Sequence, residues 1–178
     1  MQLFKIFAVN NAGLYAIDYE QGDGNEWDKA FEQWEDPETL IAYFEGKFQD
    51  TEDDEFIATQ VEQVLEEAQL LRNRIFETSR EHTNLELDTL FHPVHKGDYS
   101  LFQLSKAYGR PKKSLLRIYA IRVERNMYVV TGSAIKTTRT MQEDPLLMKE
   151  LNKLERVRDF LREQEVRDGD DLTMFCEL

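Results

Sequence analysis

The chain has 178 residues, 41% hydrophobic and 11% aromatic, enough for one packed domain and too rich in core formers for a disordered chain. Its 22 Lys and Arg stand against 35 Asp and Glu, a net charge of -13 that, taken whole, repels nucleic acid and anionic membrane. A single cysteine, Cys176, excludes an intrachain disulfide and a zinc site built from thiolates.

Residues 3–9 read as a strand, and Asn10, Asn11, Ala12 and Gly13 as a turn into a second strand at 14–19, together a hairpin. Lys5 breaks this first apolar run, which is too short for a secretory signal. No run reaches the roughly 18 apolar residues of a spanning helix, so a soluble, cytoplasmic protein without a membrane partner is expected. Trp27, Ala30, Phe31 and Trp34 recur at helical spacing. Asp36 and Pro37 form a cap and first turn for a second helix striped by Leu40, Ile41, Phe44 and Phe48. The acidic run 50–55 favours another helix start. The stripe Ile57, Val61, Val64, Leu65, Ala68, Leu71 and Ile75 then predicts a helix of five turns.

Residues 85–96 read as irregular. Strands are expected at 99–104, 115–124 and 127–135, the last two joined by a tight turn at 124–126. Asp144 and Pro145 start a final helix with Leu147, Leu151, Leu154, Val157 and Leu161 on one face. A short edge strand at 172–176 ends the pattern. The order predicts a single α+β domain over 1–178. Its antiparallel sheet combines the hairpin with a three-stranded meander, and its helices pack on one face.

The charge is segregated. Residues 1–95 hold 6 basic and 22 acidic residues, whereas residues 96–178 hold 16 and 13. Ten basic residues fall between Lys96 and Arg139, against Asp98 and Glu124 alone. Two readings fit: a phosphate-binding surface on an otherwise acidic protein, or a basic sheet neutralised by acidic helices of the same fold.

The residues of this second half resemble the RelE/HigB-like toxins of type II toxin–antitoxin systems, over about residues 88–162. The resemblance rests on Leu90, Phe91, His92, Pro93, Val94, on the run from Tyr99 to Leu104, on Leu116, Arg117, Ile118, Tyr119, and on the run from Tyr128 to Thr140. It implies metal-independent cleavage of mRNA in the ribosome. There the substrate 2′-hydroxyl attacks the neighbouring phosphorus, and Lys and Arg stabilise the charge that builds on the phosphate. It further implies a small antitoxin partner, and no cofactor.

Carried over by position, Arg117, Lys136, Arg139 and Tyr119 are the candidate catalytic residues. Lys106, Arg110, Lys112, Lys113 and Arg122 are the candidate RNA contacts. Departures from the pattern are Ile135 at the family's first paired lysine, and Gln103 and Ser105 in place of a glutamate and an arginine. A non-catalytic member of the fold, binding RNA or protein, is therefore the alternative. Each cation also has a plain reading as a surface ion pair or a solvated loop charge, and Tyr119 as packing. His92 and His95 with Asp88 and Asp98 offer metal-ligand types, but Pro93 prevents their sharing a helix face. Gly-rich phosphate loops and nucleophile elbows are absent from the sequence.

Overall fold

A computed structural model describes residues 4–10, 12–19, 24–48, 53–79, 85–95, 97, 102–137, 145–174 and 176–177. The hairpin joins β1 (Lys5–Ala8) to β2 (Leu14–Asp18). The Asn10 side-chain oxygen closes its turn by accepting from the amides of Ala12 and Leu14, each at 3.0 Å. Gly13 takes φ +104°, and its carbonyl accepts from the Tyr128 amide, so the hairpin turn sits against the turn at 125–126.

Side-chain caps start the helices where Asn and Asp precede apolar stripes. Asn25 caps α1 (Glu26–Trp34), Asp36 caps α2 (Pro37–Lys47) and Asp53 caps α3 (Asp54–Glu77). A single turn, α4 (Leu87–Leu90), leads into the short strand β3 (Phe91–Pro93). Both lie where the sequence reads as irregular, since four and three residues are too few to show a period. The meander follows as β4 (Gln103–Tyr108), β5 (Leu116–Glu124) and β6 (Met127–Ile135). The chain ends with α5 (Pro145–Glu163), α6 (Gly169–Thr173) and β7 (Cys176–Glu177).

The seven strands form one sheet in the order β3-β4-β5-β6-β2-β1-β7. The fold is α+β, as the element order predicts, but the sheet is mixed: β2 runs parallel to β6, and β7 parallel to β1. Long connections permit this, because strands separated by a helical excursion can enter the sheet in either direction.

Helices also cover both faces rather than one. Leu14, Ala16, Ile118, Ala120 and Val130 face a core shared with α1, α2 and α3. Their chain neighbours Ile17, Tyr119, Ile121 and Val129 face a second core under α5 and α6. Strands apolar on successive residues require cover on both sides.

Candidate nucleic-acid interface

The register of the meander gathers cations and rings at one end of the sheet. Tyr108 pairs with Arg117, Lys106 with Tyr119, and His92 with Lys106. Directly paired residues share a sheet face, so His92, Lys106, Tyr108 and Arg117 lie on the face that carries Tyr119.

Arg117 organises this patch. Its guanidinium carbon lies 4.2 Å from the centre of the Tyr108 ring, a cation–π stack. Its Nη1 donates to the carbonyls of Ser114 (3.0 Å) and Leu116 (2.9 Å), which fixes the plane of the fork. Its Nε is buried without a hydrogen-bond partner, and among the described residues no carboxylate lies within ion-pair distance of it. Burial lowers the guanidinium from its ordinary value, against opposing contributions from Tyr108, Tyr119 and Glu67. The group is thus a positioned, partly desolvated cation, the form in which arginine meets a phosphate best. Lys106 adds a second charge 5.6 Å from the Tyr108 ring, and the Tyr108 and His92 rings lie 6.0 Å apart.

A cleft of about 490 Å³ opens beside Arg117, lined also by Lys113, Lys136, Gln60, Phe48 and Phe56. Lys136 is held there by its own amide, which donates to the Leu115 carbonyl at 2.6 Å. Three of the expected cations, Arg117, Lys136 and Lys113, therefore converge. Arg139 lies outside the described residues.

The other expected residues are placed differently. Tyr119 is 1% exposed and belongs to the core under α5. Burial, chiefly, pushes its hydroxyl up to about 12. Tyr108 instead presents a ring to the patch. Arg110 clips its own turn, donating from Nε to the Lys112 carbonyl and from Nη2 to that of Lys113, and leaves Lys112 exposed. Arg122 projects to the opposite face and forks onto Asp88, two bonds of 3.1 Å. Asp88 also accepts from the Tyr128 hydroxyl (2.7 Å) and the Asn126 amide (3.1 Å). Burial acts to raise the Asp88 carboxyl, but these hydrogen bonds and the Arg122 charge outweigh it and leave the group below its ordinary value. Arg122 thus closes the end of the meander away from the patch.

Glu67 is the supporting residue that the apolar pattern hides. It sits fully buried on α3 and accepts from the Ser114 hydroxyl, from the amides of Leu115 (2.9 Å) and Leu116 (3.3 Å), and from Gln63 Nε2 (2.7 Å). Gln63 also donates to the Lys113 carbonyl. The carboxylate thereby anchors the 109–116 loop, which carries Lys113 and leads into Arg117 on β5. Gly109 packs so close that an added Cβ would lie 2.8 Å from the Glu67 Cβ and nearer still to its carboxylate.

A second polar cluster lies where β2 and β6 part beyond Ala16 and Val130. Tyr19 bridges the gap, its hydroxyl donating to the Thr131 carbonyl at 2.7 Å. Lys153 of α5 reaches Glu150 at 3.1 Å and Glu26 of α1 at 3.6 Å. Burial raises the Glu150 carboxyl above its ordinary value despite the neighbouring Lys153. Gly132 makes room for this pair, since a side chain there would strike Glu150 and Lys153.

No family model matches the chain, and no curated protein or solved structure matches it either. Among the described residues, no helix is long and apolar enough to cross a membrane, and no group of three or more His, Cys, Asp or Glu is arranged to hold a metal ion.

Proposed function

We propose that the protein is an RNA-binding protein of the RelE/HigB-like toxin type. Its sheet-end patch takes the phosphodiester backbone, and metal-independent mRNA cleavage is the activity that the resemblance implies. The observation that carries the binding reading is Arg117: a fixed guanidinium on Tyr108, with no described carboxylate in ion-pair contact, beside a cleft lined by Lys113 and Lys136. A half-buried strip of cations and rings, with His92 and Lys113 exposed, suits single-stranded RNA, whose phosphates need charge and whose bases need stacking partners.

The test is anisotropy of a labelled single-stranded RNA across salt concentrations. Each phosphate contact contributes about 0.7 to the slope of log affinity against log salt. Contacts from Lys106, Lys113, Arg117 and Lys136 would give a slope of about -3. Arg117→Gln lowers affinity and removes about one contact from the slope, and Tyr108→Ala costs about 1–3 kcal/mol if a base stacks there. Binding that ignores salt and Arg117 refutes the reading. Cleavage is read separately with ribosomes and mRNA in the presence of EDTA. Cleavage lost in Lys136→Ala supports the toxin activity, whereas binding without cleavage or growth arrest identifies a non-catalytic member of the fold. A small antitoxin covering the patch would compete with the labelled RNA.

A further inference from the structure

The outer side of the acidic helices carries an apolar groove with no role in the RNA reading. It runs between α2 and α3 and encloses about 420 Å³. Ile57 and Val61 form its floor and are buried. Ile41, 40% exposed, forms one wall, and Ala58 and Leu65 the other. Its rim is acidic: Glu45 on α2, and Asp54 and Glu62 on α3.

The core does not account for Ile41. Leu40 and Phe44 are the α2 side chains fully buried in the fold, whereas Ile41 and Glu45, one turn apart, turn towards the groove. From Asp54 to Leu65 the groove spans twelve residues of α3, about 16 Å for the eleven steps at about 1.5 Å each. That length matches three turns of a guest helix presenting apolar residues at i, i+3 or i+4, and i+7.

We infer that this groove docks a short, basic, amphipathic helix of a partner protein. The apolar floor supplies the burial, and the carboxylate rim selects Lys and Arg on the guest's flanks. A second copy of the chain is a poor guest, since a two-fold contact here would set Glu45, Asp54 and Glu62 against their own images.

The probe is a labelled fourteen-residue helical peptide with Leu at the i, i+3, i+7 and i+10 positions and Lys on both flanks. Two analogues accompany it, one with Glu for each Lys and one with Ser for each Leu. The expected result is saturable binding of the Lys peptide, with both analogues weaker by at least about tenfold. Ala58→Trp, at an exposed position, fills the groove and weakens binding by about tenfold or more. Glu45→Lys with Glu62→Lys shifts preference to the Glu peptide. Circular dichroism and melting confirm that each variant is folded, and Arg117→Gln leaves peptide binding unchanged, which separates this inference from the RNA reading. Four results overturn it: no binding of the Lys peptide, equal binding of the Glu peptide, undiminished binding by Ala58→Trp, or a wild-type dimer abolished by Ala58→Trp.

Discussion

Removing the Glu67 carboxylate tests whether the acidic half of the chain supports the basic patch. In Glu67→Ala the amides of Leu115 and Leu116 lose this acceptor at once, whereas the Ser114 hydroxyl keeps the Leu116 carbonyl at 3.1 Å. A hydrogen bond to a charged group is worth about 1.5–3 kcal/mol, and a donor left buried costs a similar amount. Part of the loop can open to water, so the two amides set the scale, giving a loss of about 3–5 kcal/mol. For a chain of this size that lowers the melting temperature by about 6–20 °C. Glu67→Gln keeps the volume but turns an amide NH₂ towards donors, so it falls between wild type and Glu67→Ala. Gly109→Ala should destabilise by pressing on Glu67, and this cost should shrink by at least about 1 kcal/mol in the Glu67→Ala background, where the obstructing carboxylate is gone. Differential scanning calorimetry of the four-member cycle measures both effects, and RNA anisotropy then reads the displaced Lys113 and Arg117. A melting shift under about 2 °C, or strict additivity of the two substitutions, would refute the idea that this carboxylate holds the loop.

Four further outcomes follow from the same geometry. Arg122→Gln should lower stability while leaving the salt slope of RNA binding unchanged, unlike Arg117→Gln; equal slopes for both variants would contradict the assignment of Arg122 to Asp88. The lowered Asp88 carboxyl contributes stability that is complete above the ordinary carboxylate value, near pH 4, and is lost as pH falls through the lowered value. Asp88→Asn should therefore flatten the acid limb of a stability–pH curve, and an unaltered limb would count against it. Glu150 has the opposite sign: its raised carboxyl favours the fold when protonated, and that contribution is lost as pH rises through the raised value. The stability of Glu150→Gln relative to wild type should consequently improve as pH rises above the ordinary carboxylate value, and a pH-independent difference would show that Glu150 is not desolvated. Gly132→Ala should destabilise by forcing Glu150 and Lys153 apart, with partial relief in Glu150→Ala; an unperturbed melting temperature would disprove the packing.

How much of this was legible depends on how strongly each segment announces its period. The strand expected at 127–135 is β6 to the residue, because the β-prone run Tyr128 to Thr131 starts straight after the turn at Asn126 and the buried Ile135 ends it. The strand expected at 99–104 instead lies at Gln103–Tyr108, beginning after Phe102 with its φ of +59°. Ser105 and Lys106 look like loop residues, yet β3 and β5 pair them on either side. The shift brings Tyr108 onto β4 opposite Arg117, whereas the sequence pattern shows no strand between 104 and 115; Tyr119 lies in the α5 core because both faces of the sheet are covered. Glu67 did leave a trace: it lies between Val64 and Leu71 on the inward stripe of α3, where a carboxylate without a partner would be costly. Its partners come from a loop about fifty residues further on, which no local pattern reveals. The convergence of Arg117, Lys136 and Lys113 was legible as a cluster of charge, whereas the diversion of Arg122 onto Asp88 required the fold.

The charge asymmetry can now be judged as a spatial arrangement. If the acidic helices simply neutralised the basic sheet, carboxylates of the first half would meet the cations of the second across the patch. The described ion pairs that join the halves lie elsewhere: Arg122 with Asp88 and Arg125 with Glu86 at the far end of the meander, and Lys153 with Glu26 at the gap between β2 and β6. At the patch itself the acidic half contributes Glu67, whose hydrogen bonds go to the amides and hydroxyl of the loop and which acts on Arg117 only at longer range. Glu45, Asp54 and Glu62 meanwhile face outward around an apolar groove. Cations line the cleft and carboxylates rim the groove, and α3 borders both: Gln60 and Phe56 at the cleft, Asp54 and Glu62 at the groove. On the two proposals made above, an anionic and a cationic partner would bind together without competing for one face, and added salt should weaken each interaction independently.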